Sequence, residues 1–441
     1  MEQFQPNPYS LIISASVIII LSFIYKAISK KINIPDAVLL ILTGMIVKQA
    51  MNVLKIGEPN LFPVPEILGI IGLIMTILDA TLHLEFDQQN LSKIGRSFGM
   101  AFLGTIGTAL AIAGIFYYHL DSLNNFKLSL LYAMPLAILS ASIVTSNIDQ
   151  FTKEQRLFHR YESAFSDIIG ITAFFMLQDI LLVSETTNAT SVGWGSNLIL
   201  TTITSLITSY TLIFLLQNAK ANVRLFLLIS VVLLLYAIGK LLNLSSLTII
   251  LIFGMVLSNG HLLLKSYLGK YINPTSLKEI RDDYSVVTIE ANFVVRTFFF
   301  VIFGFSIVAA VLFKPQIILI SSFILVSLYI IRYILFQIFG QDETSLQVYM
   351  APRGVITILL FFAIPPELKT DAFQMEILFF IITVSGLLMT YSLLIQKKRQ
   401  IHIHADDDND LIAPPDSIYR GFKYKGPISL NKEGEAKKDN F

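Results

Sequence analysis

Glu162-Ser163-Ala164-Phe165-Ser166-Asp167 opens an apolar stretch that runs on through Leu177. An acid inside a transmembrane helix costs roughly 2.5–3.5 kcal/mol on insertion scales, so it is a functional group by default. On a helix, Glu162 and Ser166 stand at i, i+4, and Ser163 and Asp167 form a second such pair. Two small hydroxyls thus flank the deeper carboxylate. A hard oxygen acid with hydroxyls beside it makes a cradle for a small cation or a proton. The competing reading is a buried carboxylate that only ties two helices together, and this stretch alone does not choose between them.

The other charges inside apolar runs are Asp79, Asp179, Glu290, Arg296, Arg332 and Arg353. Uncompensated charges do not persist in hydrocarbon, so these must pair or face water. Arginine stays protonated and can fork onto a carboxylate. An arginine paired with Glu162 would leave Asp167 as the acid free to titrate. Burial and nearby cations then push its proton affinity in opposite directions. Asp79, deep in Ile77-Leu78-Asp79-Ala80-Thr81-Leu82, reads equally as a structural hydrogen bond and as part of an ion path. Asp179 falls about 18 Å along the helix from Asp167, near the outer surface, and receives no role. Glu290 reads as a rim residue. His83 and His119 fall near span ends and read as interfacial.

What must position these groups is a membrane domain. The 441 residues are 54% hydrophobic and 14% charged, with a mean hydropathy of +0.68. A soluble domain carries about 25% charge. Repeated apolar runs near 20 residues make an all-α polytopic membrane protein. Thirteen spans are expected, at about 8–30, 35–54, 65–86, 96–120, 126–148, 161–183, 194–219, 223–243, 245–260, 286–311, 314–340, 347–366 and 372–396. The first run lacks a basic leader and reads as a span, not a cleavable signal peptide. With no cysteine, neither disulfides nor thiolate metal sites are available.

Alternate loops differ in Lys and Arg. One set holds Lys26, Lys30, Lys31, Lys93, Arg96, Lys153, Arg156, Arg160, Lys220, Arg224, Lys265, Lys270, Lys278 and Arg281; the other is poor, with Lys48, Lys55, Lys127, Lys240, Lys314 and Lys369. The bias puts the N-terminus outside and the C-terminus in the cytoplasm, as an odd number of spans requires. With thirteen spans, helices seven apart run in opposite directions, so spans one to six and eight to thirteen fit inverted repeats. Two matched spans carry breaks. Span five has Pro135 and then the polar run Ser140-Ala141-Ser142-Ile143-Val144-Thr145-Ser146-Asn147; span twelve has Ala351-Pro352-Arg353-Gly354 and Thr357. Freed backbone at membrane depth is tolerated only beside protein or a water-filled cavity. Kinks in equivalent repeat positions favour discontinuous helices whose ends aim partial charges at the midplane. The tail after Gln396 holds His402-Ile403-His404 and Asp406-Asp407-Asp408-Asn409-Asp410; a solvated disordered tail is the expectation over a metal site.

These residues together resemble the monovalent cation/proton antiporters, on the sodium/proton exchanger (cation:proton antiporter-1-like) side, from about residue 8 to 396. Glu162-Ser163-Ala164-Phe165-Ser166-Asp167 is similar to that family's Glu-Ser-x-x-Asn-Asp motif. Ala351-Pro352-Arg353-Gly354 is similar to its Gly-x-Arg-Gly, and Arg332 in Leu328-Tyr329-Ile330-Ile331-Arg332 to its span-eleven arginine. Phe298-Phe299-Phe300-Val301-Ile302-Phe303-Gly304 resembles its Phe-Phe-x-x-x-Gly. In Leu78-Asp79-Ala80-Thr81-Leu82, Asp79 takes the acid's place of its Phe-Glu-Gly-Gly-Leu. There are two departures. Ser166 stands where the family has asparagine, and the span-five Thr-Asp-Pro is replaced near Ala141-Ser142-Ile143, with neither acid nor proline.

The resemblance implies crossed broken helices in spans five and twelve and a homodimer in the lipid bilayer. It divides the membrane domain (1–396) into a dimerisation part, about 8–90 and 223–311, and a core, about 96–183 and 314–396, followed by a short cytoplasmic tail, 397–441. It implies that Asp167 takes Na⁺ or protons, with Ser163 as a further Na⁺ ligand and Ser166, Ser142 and Asp79 around the site. Glu162 would pair with Arg332 or Arg353. The expected activity is secondary exchange of Na⁺ (or Li⁺ or K⁺) for H⁺, without a cofactor or nucleic acid, in a bacterial plasma (inner) membrane. One titrating acid, with Ser rather than Asp at 166, favours electroneutral exchange. The alternatives are a K⁺/H⁺ exporter or a channel of related architecture. An enzyme is not expected, because neither His-Glu-x-x-His nor Gly-x-Ser-x-Gly occurs.

Overall fold

The computed structural model describes residues 8–32, 35–54, 64–82, 84, 86, 91–120, 123–145, 147–148, 151–185, 194–217, 224–242, 244–260, 273–308, 310–339, 344–370 and 373–407. His83 and residues 408–441 lie outside them; residues 397–407 of the tail, expected to be disordered, instead continue the last helix through His402, His404, Asp406 and Asp407. All the described regular structure is helical. In chain order the helices are α1 (Pro8–Ile32), α2 (Asp36–Val53), α3 (Val64–Leu82), α4 (Leu91–His119), α5 (Phe126–Ala137), α6 (Ala141–Thr145) and α7 (Lys153–Glu185). Then follow α8 (Trp194–Leu216), α9 (Arg224–Leu241), α10 (Ser246–Ser258), α11 (Pro274–Ser306), α12 (Pro315–Phe339), α13 (Thr344–Gln347), α14 (Val355–Phe362) and α15 (Met375–Asp407). With α5–α6 and α13–α14 each counted as one broken span, these make thirteen. Nine spans among the described residues are long and apolar enough to cross a bilayer, and Leu68–Leu82, Leu227–Leu241 and Ser246–Ser258 are shorter apolar helices. Residues 1–396 form one compact unit. Of the second, 397–441, only the continuation of α15 to Asp407 is described.

Local chemistry sets the ends. Asn125 caps α5 by accepting from the Lys127 amide at 3.0 Å, and Asn273 caps α11 by accepting from the Thr275 amide, with Pro274 at the first helical position. Two helices begin well before the expected spans. α7 starts at Lys153 rather than 161, and α11 at Pro274 rather than 286, because their charged first turns continue the helix beyond the apolar run. Glu290 is exposed and lies in the middle of the lengthened helix, a few residues into its apolar run.

The inverted-repeat plan is visible in the packing. Exchanging the halves maps α2 onto α10 and α3 onto α11. The two extensive packings α2 on α11 and α10 on α3 are then the same contact seen twice. α2 and α11 meet backbone to backbone. A methyl added at Gly44 would overlap the Val301 carbonyl, and one at Gly304 the Ile41 carbonyl. Small residues are how membrane helices approach this closely, where packing rather than the hydrophobic effect drives association. Arg296 of α11 donates to Asp36 at the start of α2 at 2.7 Å, which gives this intramembrane charge its partner. Elsewhere α4 packs against α5, α7 and α12, and the half-helix α14 packs against α3, α5 and α11.

Candidate functional site

The two breaks meet. α5 ends at Ala137, Ile138 turns to extended backbone, and α6 restarts at Ala141. In the matching span α13 ends at Gln347 and α14 begins after Gly354, itself extended. The Ser140 amide donates to the Pro352 carbonyl at 3.0 Å, so the two unwound stretches touch backbone to backbone. Glycine is required at 354 by this approach, because a methyl there would lie 2.8 Å from Ser140 Cβ and overlap its hydroxyl. Gly170 of α7 does the same for the other stretch, where a methyl would overlap Ile138.

Unwound backbone in a membrane must find partners, and side chains supply them here. Ser166 accepts from the Leu139 amide at 3.1 Å and shares a hydrogen bond with Thr105 at 2.8 Å. The Ser385 hydroxyl accepts from the Arg353 amide at 3.1 Å. Arg353 Nε donates to the Leu136 carbonyl at 2.6 Å, which puts a cation on the C-terminal end of the half-helix α5. Arg332 Nη2 donates to the Met350 carbonyl at 3.0 Å.

Arg332 is also the partner of Glu162, with Nη1 at 2.5 Å from Oε1 and Nη2 at 3.1 Å from Oε2. Arg353, the other candidate for this ion pair, is not a direct partner. Its side chain is committed to the Leu136 carbonyl, and the carboxylate is already filled by the forked guanidinium of Arg332. A third group completes the cluster. His159, fully buried one turn earlier on α7, donates from Nδ1 to Glu162 Oε2 at 3.1 Å, since the carboxylate can only accept. His159 precedes the expected start of the span at 161 and lies inside the helix only because that helix begins at Lys153. Its i, i+3 spacing to Glu162 was the available signal. Thr105 and Ser385 had no signal short of the fold.

Asp167 is placed differently. It is 1% exposed, its carboxylate receives the Ala141 amide at the N-terminus of α6, and its Oδ1 has no hydrogen-bond partner. A buried acceptor without a partner is rare and marks a binding position or a bound water. Asp79 lies within electrostatic reach, its own carboxylate accepting from the Thr288 hydroxyl at 3.4 Å. Ser142 sits one residue into α6, its hydroxyl 3.4 Å from that of Ser140. Ser163 is buried and turned back along its own helix, donating to the His159 carbonyl at 2.8 Å, which leaves its lone pairs as the ligand it can offer. The crossing thus brings Asp167, Ser142 and Ser166 onto one meeting point, with Asp79 in electrostatic reach.

Two spaces approach this cluster. A cavity with about 20 Å³ of water-accessible space lies among α4, α7 and α12, lined by Thr105, Thr108, Glu162, Arg332 and Arg353; that is room for one water. A wider cleft of about 310 Å³ opens between α3, α7 and α11, lined by Leu82, Arg160, Tyr161, Arg281, Asp282 and Ser285. Leu82 and Ser285 stand one helical turn from Asp79 and Thr288, so the walls of this cleft lead to the acid beside Asp167.

The family model described as the transmembrane sodium/hydrogen exchanger matches residues 17–395. The chain belongs to the sodium/hydrogen exchanger family. The exchanger fold recurs in a solved structure of the sodium proton antiporter MjNhaP1 from Methanocaldococcus jannaschii at pH 8. Identity to it is 18%, 87% of this chain and 94% of that chain are covered, and the TM-score is 0.61. An electron-microscopy structure of the same antiporter matches at 18% identity over 93% of this chain and 100% of that one, with a TM-score of 0.60. No curated protein sequence matches the chain. A member of this exchanger family is an integral membrane transporter of Na⁺ and H⁺.

Proposed function

We propose that this protein exchanges a monovalent cation, Na⁺ with Li⁺ or K⁺ as further candidates, for H⁺ by alternating access, and that Asp167 carries both in turn. The observation that carries the reading is the unpartnered Oδ1 of a fully buried carboxylate at the crossing of two broken helices. One carboxylate oxygen is held by the Ala141 amide; the other is open to a proton or to a cation, never to both. Competition at a single group couples the two ions, and one titrating acid makes the exchange electroneutral. Ser142, Ser166 and Ser163 supply neutral oxygens around it. Glu162 takes no proton in the cycle, because Arg332 and His159 occupy it. Asp79 stands between Asp167 and the cleft and guides the cation inward.

The assembly around α4, α5–α6, α7, α12 and α13–α15 is the moving core. The assembly of α1–α3 and α9–α11 is the fixed part, through which two copies form a dimer. Lys and Arg in the loops orient the protein with its N-terminus outside and its C-terminus in the cytoplasm of a bacterial inner membrane. The cleft between α3, α7 and α11 is then the cytoplasmic approach.

Purified protein in liposomes loaded with a pH dye tests this. A Na⁺ pulse should move protons without building a membrane potential. Lowering the pH should raise the apparent KM for Na⁺, approaching about tenfold per pH unit where the proton occupies the site, at an unchanged maximal rate. A KM independent of pH, or a current without proton movement, would overturn the single-site exchange.

A further inference from the structure

A second polar cavity lies at the other end of α7. It holds about 50 Å³ of water-accessible space between Gln178 and Asp179 of α7, Tyr236 and Lys240 of α9, and Ser245 and Ser246 at the start of α10. Two of its lining atoms are anomalous. Gln178 Oε1 and Ser246 Oγ have no hydrogen-bond partner, although their residues are only 8% and 3% exposed. Buried polar atoms are normally paired, so these two await a water or an ion. The Asp179 carboxylate stands at the exposed rim beside them, and Lys240 lies across the cavity within electrostatic reach of it.

The donor set is a carboxylate, an amide oxygen and a hydroxyl. These are hard oxygen ligands, suited to an alkali cation and unsuited to a soft metal. The cavity lies roughly 18 Å along α7 from Asp167. The helix between carries Ile171 and Phe174, both buried and apolar. The cavity stands between α7 and α9–α10 at one end, as the cleft stands between α7 and α3–α11 at the other. A site on the way out must bind weakly enough to let its ion leave. Lys240 supplies that weakness, because its positive charge opposes a cation held by Asp179.

We propose that Asp179, Gln178 and Ser246 form a transit site for the exchanged monovalent cation on the side of the membrane opposite the α3–α7–α11 cleft, with Lys240 setting its affinity low. The site rests on the exchange reading above and names the groups that the ion meets on that side.

The two charges give opposite predictions. Na⁺ affinity is measured separately from each face, in vesicles of both orientations. Asp179→Asn should raise the KM on the side opposite the cleft by about tenfold, and Lys240→Met should lower it about threefold, with the KM on the cleft side unchanged for both. Equal shifts on both faces, or none, would overturn the site and leave Asp179 and Lys240 as a surface ion pair. A binding measurement separates this from failure of the exchange reading. In Asp167→Asn protein, where the deep site is lost, ²³Na NMR should still detect weak Na⁺ binding. Adding Asp179→Asn should remove it and adding Lys240→Met should strengthen it, whether or not the parent exchanges protons. No residual binding in the Asp167→Asn protein sinks the proposal.

Discussion

Glu162 and Asp167 sit five residues apart on one helix, are both almost wholly buried, and carry the same functional group. Their surroundings could hardly differ more. Five residues turn a helix through roughly 140°, so the two acids face different neighbours. Glu162 faces α12 and receives both nitrogens of a guanidinium and an imidazole N–H. Asp167 faces the broken span and receives one backbone amide, with an oxygen left over. The first carboxylate is saturated and the second is not. Charge inside a membrane thus does two jobs that need opposite local chemistry. A structural acid has both oxygens held by donors, and a working one keeps an oxygen open.

The largest effect should come from the unsaturated acid. Asp167→Asn keeps shape and volume but cannot exchange a proton for a cation, so Na⁺-driven proton movement in liposomes should fall to the background of empty vesicles. Its thermal midpoint in detergent should stay at or above the parent's, because a buried group with an open oxygen contributes little to stability. A mutant that still exchanges, or one that unfolds, would erase the distinction between the two acids.

Next in size is the saturated acid. Arg332→Ala leaves Glu162 buried with only His159, and Glu162→Gln leaves the guanidinium facing a neutral amide. Breaking a buried pair from one side costs about 3–5 kcal/mol. Unfolding of each single mutant and of the Glu162→Gln/Arg332→Ala double should show strong coupling, the double losing much less than the sum. Additive losses would mean that the pair is not a unit. Arg353→Gln ranks below these. It removes a charge-assisted bond to the Leu136 carbonyl and the cation at the end of α5, about 1.5–3 kcal/mol, and should lower the melting point with weaker coupling to Glu162→Gln than Arg332→Ala shows.

Much of this was legible in the residues, for identifiable reasons. Apolar runs near 20 residues are long signals, and Pro135 and Pro352 announce the two breaks, so the thirteen spans emerge close to their helices. Helix ends were less legible where Lys153-Glu154-Gln155-Arg156 and Arg281-Asp282-Asp283 continue a helix beyond hydrocarbon. Which arginine meets Glu162 was not legible at all. Arg332 lies 170 residues away, and the choice is made by how α12 packs on α7 and by the Leu136 carbonyl that Arg353 takes instead. Spacing placed Ser163 and Ser166 beside the acids, but it does not say where a hydroxyl's hydrogen bonds go. One donates to its own helix and the other holds the unwound chain.

That last difference makes the smallest and sharpest test. The Ser166 hydroxyl accepts from the Leu139 amide and shares a hydrogen bond with Thr105. Ser166→Ala strands a buried amide at the break, a loss of about 1–3 kcal/mol. Thr105→Val leaves that amide satisfied and removes only the second bond, about 0.5–1.5 kcal/mol. If Ser166 serves the backbone, Ser166→Ala should cost more stability than Thr105→Val, and the Na⁺ KM of both should stay near the parent's. If Ser166 also ligates the ion, the same loss of stability comes with a raised Na⁺ KM for Ser166→Ala but not for Thr105→Val. The two hydroxyls lie 2.8 Å apart, so the pair of mutants separates support of the broken helix from ligation of its cargo at a single hydrogen bond.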